Sequence, residues 1–411
     1  MKMHFVGCNG ASMSQLVKMV QAQGIEVTGS DISINGHNPI NVMQVDAVVY
    51  TSAVANDNVE LVEARRLGIP IVERAALLGQ ISQNYSNVIA VAGTHGKTTT
   101  TIMIGAMLAS RNPTIHVGGD SIGVGGNRIG GKSYFVTEAC EYRRNFLYLR
   151  PHIGVVLNMD LDHVDCYADL EQLIQAYNSF VSRCDVCVVH TSVVDKIHID
   201  TDIVTFGQGG DYTAINIVND RCKTTFDCCY RGVYMCTLTV NMQGQHNIDN
   251  CLASVGVCRC LGLDNIELEH NILGYEGVKR RFEILSSDDN CTIVSDYAHH
   301  PEEIKASLTT ARSMRRHVRV LFQPHTYSRT RAFLQEFADA LSTADEVGIA
   351  PIFAAREIPD GTTSLMLVNI IEGAILVDNV DDMRDFVYGD VPDDSCTIIM
   401  GAGDIDKILR V

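Results

Sequence analysis

The sequence predicts an α/β protein of three domains. The chain has 411 residues, and because a domain commonly holds about 150 residues, two to four domains are expected. Three stretches repeat one pattern, in which an apolar strand runs into a glycine-rich or polar loop and a helix follows. We therefore predict three domains, at residues 1–86, 87–278 and 279–411.

Composition excludes several classes of protein. Hydrophobic residues make up 46% of the chain, which is enough to fill several cores and excludes disorder. The formal net charge of -17 opposes binding to nucleic acid, because affinity for phosphate backbones depends on clustered Lys and Arg. The sequence contains no signal-peptide pattern and no long uninterrupted apolar run, so we expect a cytoplasmic protein without membrane contact.

The first of the three stretches has the pattern of a nucleotide-binding βαβ unit. Residues 3–7 predict a strand, residues 7–10 a tight glycine turn, and a helix follows from Met13. Asp31 ends the next strand about twenty residues after the turn, where such domains often carry a ribose-binding carboxylate. The same unit is also common without any ligand, so both interpretations stay open.

The second stretch predicts a phosphate-binding loop after a strand at residues 87–92. The loop and the first helical turn are formed by Gly93, Thr94, His95, Gly96, Lys97, Thr98 and Thr99. In this arrangement, backbone N–H groups and the positive end of the helix dipole face the ligand. Lys97 can reach the β- and γ-phosphates, and the Thr98 hydroxyl can hold magnesium. The strict loop pattern has glycine at the position of Val91, so this is a variant.

Two later strands are followed by side chains that suit magnesium. Glu138 follows an apolar run at residues 134–136, and His163 follows the run at residues 153–157. Ligands of open α/β sheets lie at the carboxyl ends of the strands, so both side chains could meet bound phosphates. A carboxylate oxygen suits this hard cation better than an imidazole does. A solvated carboxylate and a structural histidine remain the alternatives.

The third stretch predicts two polar loops on one face of a sheet. Strands at residues 291–294 and 319–322 deliver the side chains of Asp296, His299, His300, His325 and Arg329. A cluster of His and Arg in an acidic protein is a suitable cradle for a carboxylate or phosphate, because Arg can bind planar oxyanions in a bidentate manner. A helix carrying Phe333, Phe337 and Leu341 is expected to follow the second loop.

In combination, these segments resemble the Mur ligases, a family of ATP-dependent ligases that form amide bonds in peptidoglycan synthesis. The resemblance extends along the chain at residues 7–14, 93–101, 138–144, 158–163, 246–250, 296–301, 322–330, 354–357 and 400–404. Residues 139–144 are similar to the version of the motif found in Firmicutes. The resemblance implies an N-terminal Rossmann-like domain for a UDP-sugar, a central P-loop ATPase-like domain and a C-terminal Rossmann-like domain for an amino acid.

The resemblance also implies roles for individual residues. It implies a UDP-sugar site at Gly7, Asn9, Gly10, Ser12, Met13, Asp31 and Ser52. It implies an ATP site at residues 93–99 together with Asn247, Asn250, Arg281 and Asp296. The implied catalytic residues are Lys97, Glu138, His163, His299 and His300, with Mg²⁺ on Thr98, Glu138 and His163, and the amino acid at His325 and Arg329. Asn9 and Ser12 stand where the family has glycine, and the segment between Asp31 and Val48 is shorter than usual.

The implied reaction joins the carboxylate of UDP-N-acetylmuramate to L-alanine through an acyl phosphate made with ATP and Mg²⁺. The expected partners are therefore UDP-N-acetylmuramate and L-alanine. The chain is expected to be a monomer or a weak homodimer. Three alternatives stay open: a recycling ligase that attaches a whole tripeptide to the same sugar nucleotide, a non-catalytic nucleotide-binding protein, and an NAD-dependent dehydrogenase that uses the N-terminal Rossmann unit.

Overall fold

The computed structural model describes residues 1–161, 166–198, 200–220, 223–355 and 357–408. These residues form three β-sheets with helices packed on them. They divide into two compact units, one formed by residues 1–217, 225–239 and 249–276, the other by residues 218–224, 240–248 and the chain from 277 onward. Among the described residues, no helix has the length and apolar character needed to cross a membrane.

The first sheet has four parallel strands in the order β2-β1-β3-β4: β1 (Lys2–Val6), β2 (Glu26–Ser30), β3 (Ala47–Tyr50) and β4 (Ile71–Glu73). Its helices are α1 (Ala11–Gln21), α2 (Val59–Leu67) and α3 (Arg74–Ser82), with a 3₁₀ helix at Pro39–Val42. The predicted strand, turn and helix at the start of the chain are confirmed. The core beneath α1 and α3 continues into Val88 and Phe135 of the second sheet, which is why both sheets belong to one unit.

The buried carboxylate of Glu60 on α2 binds the short segment between β2 and β3 through hydrogen bonds. Its oxygens accept hydrogen bonds from Ser30 Oγ at 2.6 Å and from Asn41 Nδ2 at 2.6 Å, and His37 Nδ1 lies 3.0 Å away. Burial raises the pKa of Glu60, but the hydrogen bonds outweigh burial and lower it to about 2. The carboxylate is therefore ionised and holds residues 37–41 against α2.

The second sheet has nine strands in the order β13-β12-β11-β10-β9-β8-β5-β7-β6. They are β5 (Asn87–Ala92), β6 (Thr114–His116), β7 (Tyr134–Glu138), β8 (Ile153–Val156), β9 (Val186–His190), β10 (Asp202–Phe206), β11 (Tyr212–Asp220), β12 (Lys223–Tyr230) and β13 (Val233–Val240). The helices are α4 (Lys97–Met107), α5 (Leu170–Val181), α6 (Gln245–Cys260) and α7 (Asn265–Ile272), with 3₁₀ helices at Ala109–Arg111, Tyr142–Tyr148 and Val194–Lys196. Because β5 lies between parallel β7 and β8, the loops after these three strands meet at one edge.

The third sheet has six strands in the order β14-β15-β19-β16-β17-β18, with β14 antiparallel to β15. They are β14 (Glu283–Ser287), β15 (Cys291–Asp296), β16 (His317–Phe322), β17 (Glu346–Ile349), β18 (Ile375–Leu376) and β19 (Ser395–Met400). The helices are α8 (Pro301–Met314), α9 (Tyr327–Ala332), α10 (Leu334–Leu341), α11 (Leu365–Val368) and α12 (Val380–Tyr388), with a 3₁₀ helix at Ile405–Ile408. Since β15 and β16 both pair with β19, their C-terminal loops lie on the same edge.

The helix predicted after the second loop is present as α10, which carries Phe337 and Leu341, but Phe333 lies just outside it as the N-cap. The helical conformation is interrupted at Phe333, which has φ −116° and ψ 29° and lies between α9 and α10. Its ring packs against His300 at 5.1 Å and against Phe337 at 6.4 Å between ring centroids. Tertiary packing of the aromatic ring thus overrides a helical pattern that is continuous in sequence.

Candidate functional site

The phosphate loop, residues 93–96, connects β5 to α4 and requires glycine at both ends. Gly96 has φ 82°, and a Cβ there would lie 2.7 Å from Asn250 Oδ1. Gly93 has φ 149°, and a Cβ there would lie 2.9 Å from Leu157 Cβ. Val91 lies inside β5, fully buried and paired with Glu138 of β7, so glycine is not needed at that position.

Two residues after β8 hold the phosphate loop in place. His95 N donates to Asn158 Oδ1 at 2.8 Å, and Asn158 Nδ2 donates back to the His95 carbonyl at 3.2 Å. Thr94 Oγ1 donates to the Asp160 carbonyl at 2.9 Å and accepts from Asp160 N at 2.9 Å. These four hydrogen bonds fix the loop backbone. The His95 N–H is used in one of them, so the N–H groups at the start of α4 are the ones that can face an anion.

Lys97, the first residue of α4, pairs with a carboxylate that the sequence did not single out. Its Nζ lies 3.0 Å from Glu141 Oε2 and 3.1 Å from Glu141 Oε1, and it also donates to the carbonyl oxygens of Gly93 and Thr94. Burial lowers the pKa of Lys97, but Glu141, acting together with Cys140 and Glu138, outweighs burial and raises the pKa above its ordinary value. Lys97 is therefore a charged group at neutral pH, held at the mouth of the loop.

Thr98 and Glu138 lie side by side at the start of α4. The Thr98 hydroxyl donates to Glu138 Oε1, while Glu138 Oε2 accepts from Gly118 N at 3.0 Å. A hydroxyl and a carboxylate beside a phosphate loop are the hard oxygen ligands that Mg²⁺ prefers, so these residues fit a magnesium–nucleotide complex. His163, the third predicted ligand, lies outside the described residues.

The two asparagines of the predicted ATP site, Asn247 and Asn250, lie on α6. Asn250 Oδ1 accepts from Thr100 Oγ1 at 3.1 Å and fills the space beside Gly96, so it contacts the phosphate loop directly. Asn247 is almost fully buried, and its Nδ2 donates to the Gln243 carbonyl at 2.7 Å. Thr99 is also buried, within α4.

The first loop, residues 7–10, follows β1 and leads to α1. Gly7 has φ 80°, and its N–H donates to the Ser30 carbonyl at 2.8 Å. Asn9 N donates to Asp31 Oδ2 at 3.2 Å, and Asn9 Nδ2 donates to Ser33 Oγ at 2.9 Å. Ser33 also donates to the Asp31 carboxylate from its N–H and its hydroxyl, and these bonds lower the pKa of Asp31. The predicted glycine loop is thus hydrogen-bonded to the predicted carboxylate of Asp31.

The remaining predicted residues of this region differ in exposure. Gly10 is the N-cap of α1 and is exposed, and Ser12 is half-buried one residue into the helix. The side chain of Met13 packs in the core, so only its backbone can face a ligand. Ser52 lies in the turn after β3, next to Thr51, whose Cγ2 would lie 3.1 Å from a Cβ on Gly7.

The two polar loops of the third sheet lie together, as expected. The rings of His299 and His325 are 5.9 Å apart between centroids, and Arg329 Nη1 lies 3.5 Å from His325 Nδ1. Burial, reinforced by the charge of Arg329, lowers the pKa of His299 to about 4 although Glu303 opposes this. His299 is therefore neutral at pH 7 and a weak base.

Two of the predicted residues in this unit have evident structural contacts. His300 is the N-cap of α8, where its Nδ1 accepts from Glu302 N at 3.4 Å. Asp296 is buried at the end of β15 and accepts from the Ser307 hydroxyl, and burial raises its pKa.

Glu303 was missed by sequence reasoning, although it joins two predicted residues. Its Oε2 accepts from His299 N at 3.1 Å, and its Oε1 lies 3.6 Å from Arg281 Nη1. The Arg281 guanidinium also lies over the Tyr297 ring at 4.9 Å. A carboxylate on the first turn of α8 carries no distinct sequence signal, because Asp and Glu are common there.

Comparison with known proteins gives a consistent family assignment. The matching family models are the Mur ligase family catalytic domain at residues 2–86, the Mur ligase middle domain at 91–258 and the Mur ligase glutamate ligase domain at 280–403. The UDP-N-acetylmuramate–L-alanine ligase of Clostridium novyi is 38% identical over 439 aligned residues, covering 99% of this chain and 96% of that protein. The enzyme of the same name from Caldanaerobacter subterraneus is 37% identical over 441, covering 99% and 96%.

Solved structures agree with this assignment. The crystal structure of UDP-N-acetylmuramate-alanine ligase from Thermotoga maritima matches with a TM-score of 0.84 and 28% identity, covering 100% of this chain and 97% of that one. A murein peptide ligase from Psychrobacter arcticus shares the fold, with a TM-score of 0.71 at 22% identity and coverage of 100% and 97%. With full-length relatives and three matching domains, the chain belongs to the Mur ligase family.

Proposed function

We propose that this chain is an ATP-dependent ligase that joins UDP-N-acetylmuramate to L-alanine. The observation that carries the proposal is the phosphate loop, where Lys97 is paired with Glu141 and Thr98 with Glu138. Relatives that match 98–99% of the chain carry the name of this activity, which supports the choice of substrates. The domain limits 1–86, 87–278 and 279–411, the cytoplasmic location and a monomer or weak homodimer remain parts of the proposal.

The central chemical problem is to bring an anionic carboxylate to an anionic triphosphate. Magnesium–ATP, when bound, supplies the γ-phosphoryl group that converts the carboxylate into an acyl phosphate. The permanently charged Lys97 offsets repulsion between the two anions, and the N–H groups of the phosphate loop hold the phosphates. Thr98 and Glu138 would hold the metal ion beside them, together with His163 as the sequence predicts.

The other unit offers groups for the amino acid and the nucleotide. Arg329 beside His325 can bind the carboxylate of L-alanine, because a guanidinium binds planar oxyanions in two hydrogen bonds. Arg281 and Asp296 are proposed to contact nucleotide. With a pKa of about 4, His299 suits the positioning of a substrate better than removal of a proton from its ammonium group. His300 is also predicted to be catalytic. In the structure its Nδ1 accepts a hydrogen bond from Glu302 N as the N-cap of α8.

Phosphate release tests the proposed function directly. The full chain would be assayed with ATP, Mg²⁺ and UDP-N-acetylmuramate, with L-alanine, with a tripeptide or with no amine, and Lys97→Ala would serve as the inactive control. Release that needs both the sugar nucleotide and L-alanine supports the proposal. Release with tripeptide in place of L-alanine would make the chain a recycling ligase, and no release with any amine would overturn the ligase activity. A change in nicotinamide absorbance would instead indicate a dehydrogenase.

A further inference from the structure

A chain of hydrogen bonds runs from the start of α1, next to the first loop, to the end of β7. Arg74 Nη1 donates to Ser12 Oγ at 2.8 Å, and Ser12 Oγ lies 3.1 Å from His116 Nε2. On the other side of the imidazole, Nδ1 lies 3.2 Å from Thr137 Oγ1, and the Thr137 hydroxyl donates to the Glu138 carbonyl at 3.1 Å. The relay, formed by Arg74, Ser12, His116 and Thr137, therefore ends on the residue that pairs with Thr98.

The relay has a consistent direction of hydrogen bonding when His116 carries its proton on Nδ1, and the Ser12 carbonyl is a second neighbour of Nε2 at 3.3 Å. Because Ser12 Oγ accepts from Arg74, its own proton can be donated to His116 Nε2. Thr137 uses its proton on the Glu138 carbonyl, so its oxygen can accept from His116 Nδ1–H. This assignment requires a neutral imidazole, and burial together with the charge of Arg74 lowers the pKa of His116 to about 4.

Burial makes the relay a defined structure and not a set of surface contacts. His116 is 3% exposed at the end of β6, and Thr137 is fully buried in β7. Arg74 is the first residue of α3, and Ser12 is its hydrogen-bond partner among the described residues. A guanidinium has five N–H donors, so most of those of Arg74 are available to an anion beside the first loop.

The Ser12 hydroxyl is the group that joins Arg74 to His116. Without that hydroxyl, His116 Nε2 would keep the Ser12 carbonyl at 3.3 Å but would lose its hydrogen-bonded connection to Arg74. The serine therefore adds a connection between the loop proposed to bind the UDP-sugar and the sheet that carries the phosphate loop.

We propose that Ser12 is a positioning residue that couples binding of UDP-N-acetylmuramate at the first loop to binding of magnesium–nucleotide at Glu138, through Arg74, His116 and Thr137. The inference rests on the proposed function. Anionic substrate that engages Arg74 shifts Ser12, and His116 transmits the change to Thr137 and the backbone of Glu138. By thermodynamic linkage, magnesium–nucleotide must strengthen the binding of UDP-N-acetylmuramate by the same factor by which UDP-N-acetylmuramate strengthens the binding of magnesium–nucleotide.

Calorimetry on the full chain tests this coupling. The affinity for UDP-N-acetylmuramate is measured with and without Mg²⁺ and a non-hydrolysable ATP analogue, in the wild type and in Ser12→Ala and Thr137→Val. We expect the analogue to tighten sugar-nucleotide binding about fivefold or more in the wild type, within the usual range of coupling. In both variants the ratio of the UDP-N-acetylmuramate affinities with and without the analogue should fall below about twofold. The affinity for the analogue alone should change little. Ser14→Ala is the matched control, since the Ser14 hydroxyl donates to the Ala11 carbonyl on the same helix.

The possible outcomes separate the two proposals. If the wild type binds both ligands without coupling, or if Ser12→Ala keeps the full coupling, the relay is overturned and the ligase activity is untouched. If the wild type does not bind UDP-N-acetylmuramate at all, the proposed function fails and the coupling fails with it. Thermal melting of each variant is measured in parallel, because a purely structural defect would weaken both ligands and leave their ratio unchanged.

Discussion

Glu141 Oε2 lies 3.0 Å from Lys97 Nζ, and this ion pair sets the charge of the phosphate loop. The carboxylate side chain is 2% exposed and the ammonium-bearing side chain 18% exposed, so water screens the pair only weakly. The Glu141 carboxylate stabilises the charged form of Lys97, and the lysine is in place before any phosphate arrives.

The Glu141→Gln variant should lose activity through Lys97. The amide keeps the shape of the side chain but removes the negative charge that raises the pKa of Lys97, so that pKa should fall. We expect kcat/KM for ATP to decrease by about tenfold or more, and the alkaline limb of the pH–rate profile to move to lower pH. Glu171→Gln, on the exposed start of α5, is the control. An unchanged alkaline limb in Glu141→Gln would contradict the assignment.

The Thr98→Val variant should raise the requirement for magnesium. Valine has the shape of threonine but lacks the hydroxyl that donates to Glu138, so the proposed metal site loses one oxygen ligand. We expect the Mg²⁺ concentration at half-maximal activity to rise about tenfold, measured by phosphate release. Thr101→Val is a matched control on the same helix, because Thr101 Oγ1 is buried without a hydrogen-bond partner in the described structure. Equal effects in the two variants would argue against a metal role for Thr98.

The Gly96→Ala variant should disable the phosphate loop. A methyl group would lie 2.7 Å from Asn250 Oδ1, and alanine disfavours a φ of 82°. We expect activity to fall about a hundredfold or more, because misplacement of a positioning group by about 1 Å has effects of this size. Gly68→Ala, at φ 68° with open space around the position, isolates the cost of the backbone conformation. Nucleotide binding by fluorescence titration should be retained in Gly68→Ala and lost in Gly96→Ala.

The Glu60→Gln variant should change how stability depends on pH. The pKa of Glu60 falls from about 4.5 in the unfolded chain to about 2 in the folded protein, so its contribution is complete above pH 4.5 and is lost as the pH falls towards 2. At pH 7 the wild type should exceed Glu60→Gln by up to about 3 kcal/mol in the free energy of unfolding, measured with urea. The difference should vanish near pH 2. Glu63→Gln on the same helix should show a much smaller change, since its pair with Arg66 lies at the surface.

Local patterns of the sequence predicted the strands and loops that carry the sites. β5, the phosphate loop and α4 follow from an apolar run, two glycines and a Lys-Thr pair that are contiguous in the chain. The loops after β15 and β16 were predicted by the same reasoning, and the approach of His299 to His325 agrees with it.

The partners that set the chemistry could not be predicted from the sequence. Glu141 is 44 residues from Lys97, and His116 is 104 residues from Ser12, so the contacts exist only once the strands are ordered in the sheet. The break at Phe333 depends likewise on a ring from another segment, His300. The spacing of residues along the chain does not predict such pairs. Glycines at strand ends, in contrast, do predict the loops that they form.

The four hydrogen bonds that join Thr94 and His95 to Asn158 and Asp160 have a consequence for affinity. A flexible loop loses conformational entropy when it closes on its ligand, and that loss weakens binding. Here the loss has already occurred during folding. Nucleotide therefore meets a preformed loop, and less of the interaction energy of the phosphates is lost in ordering it.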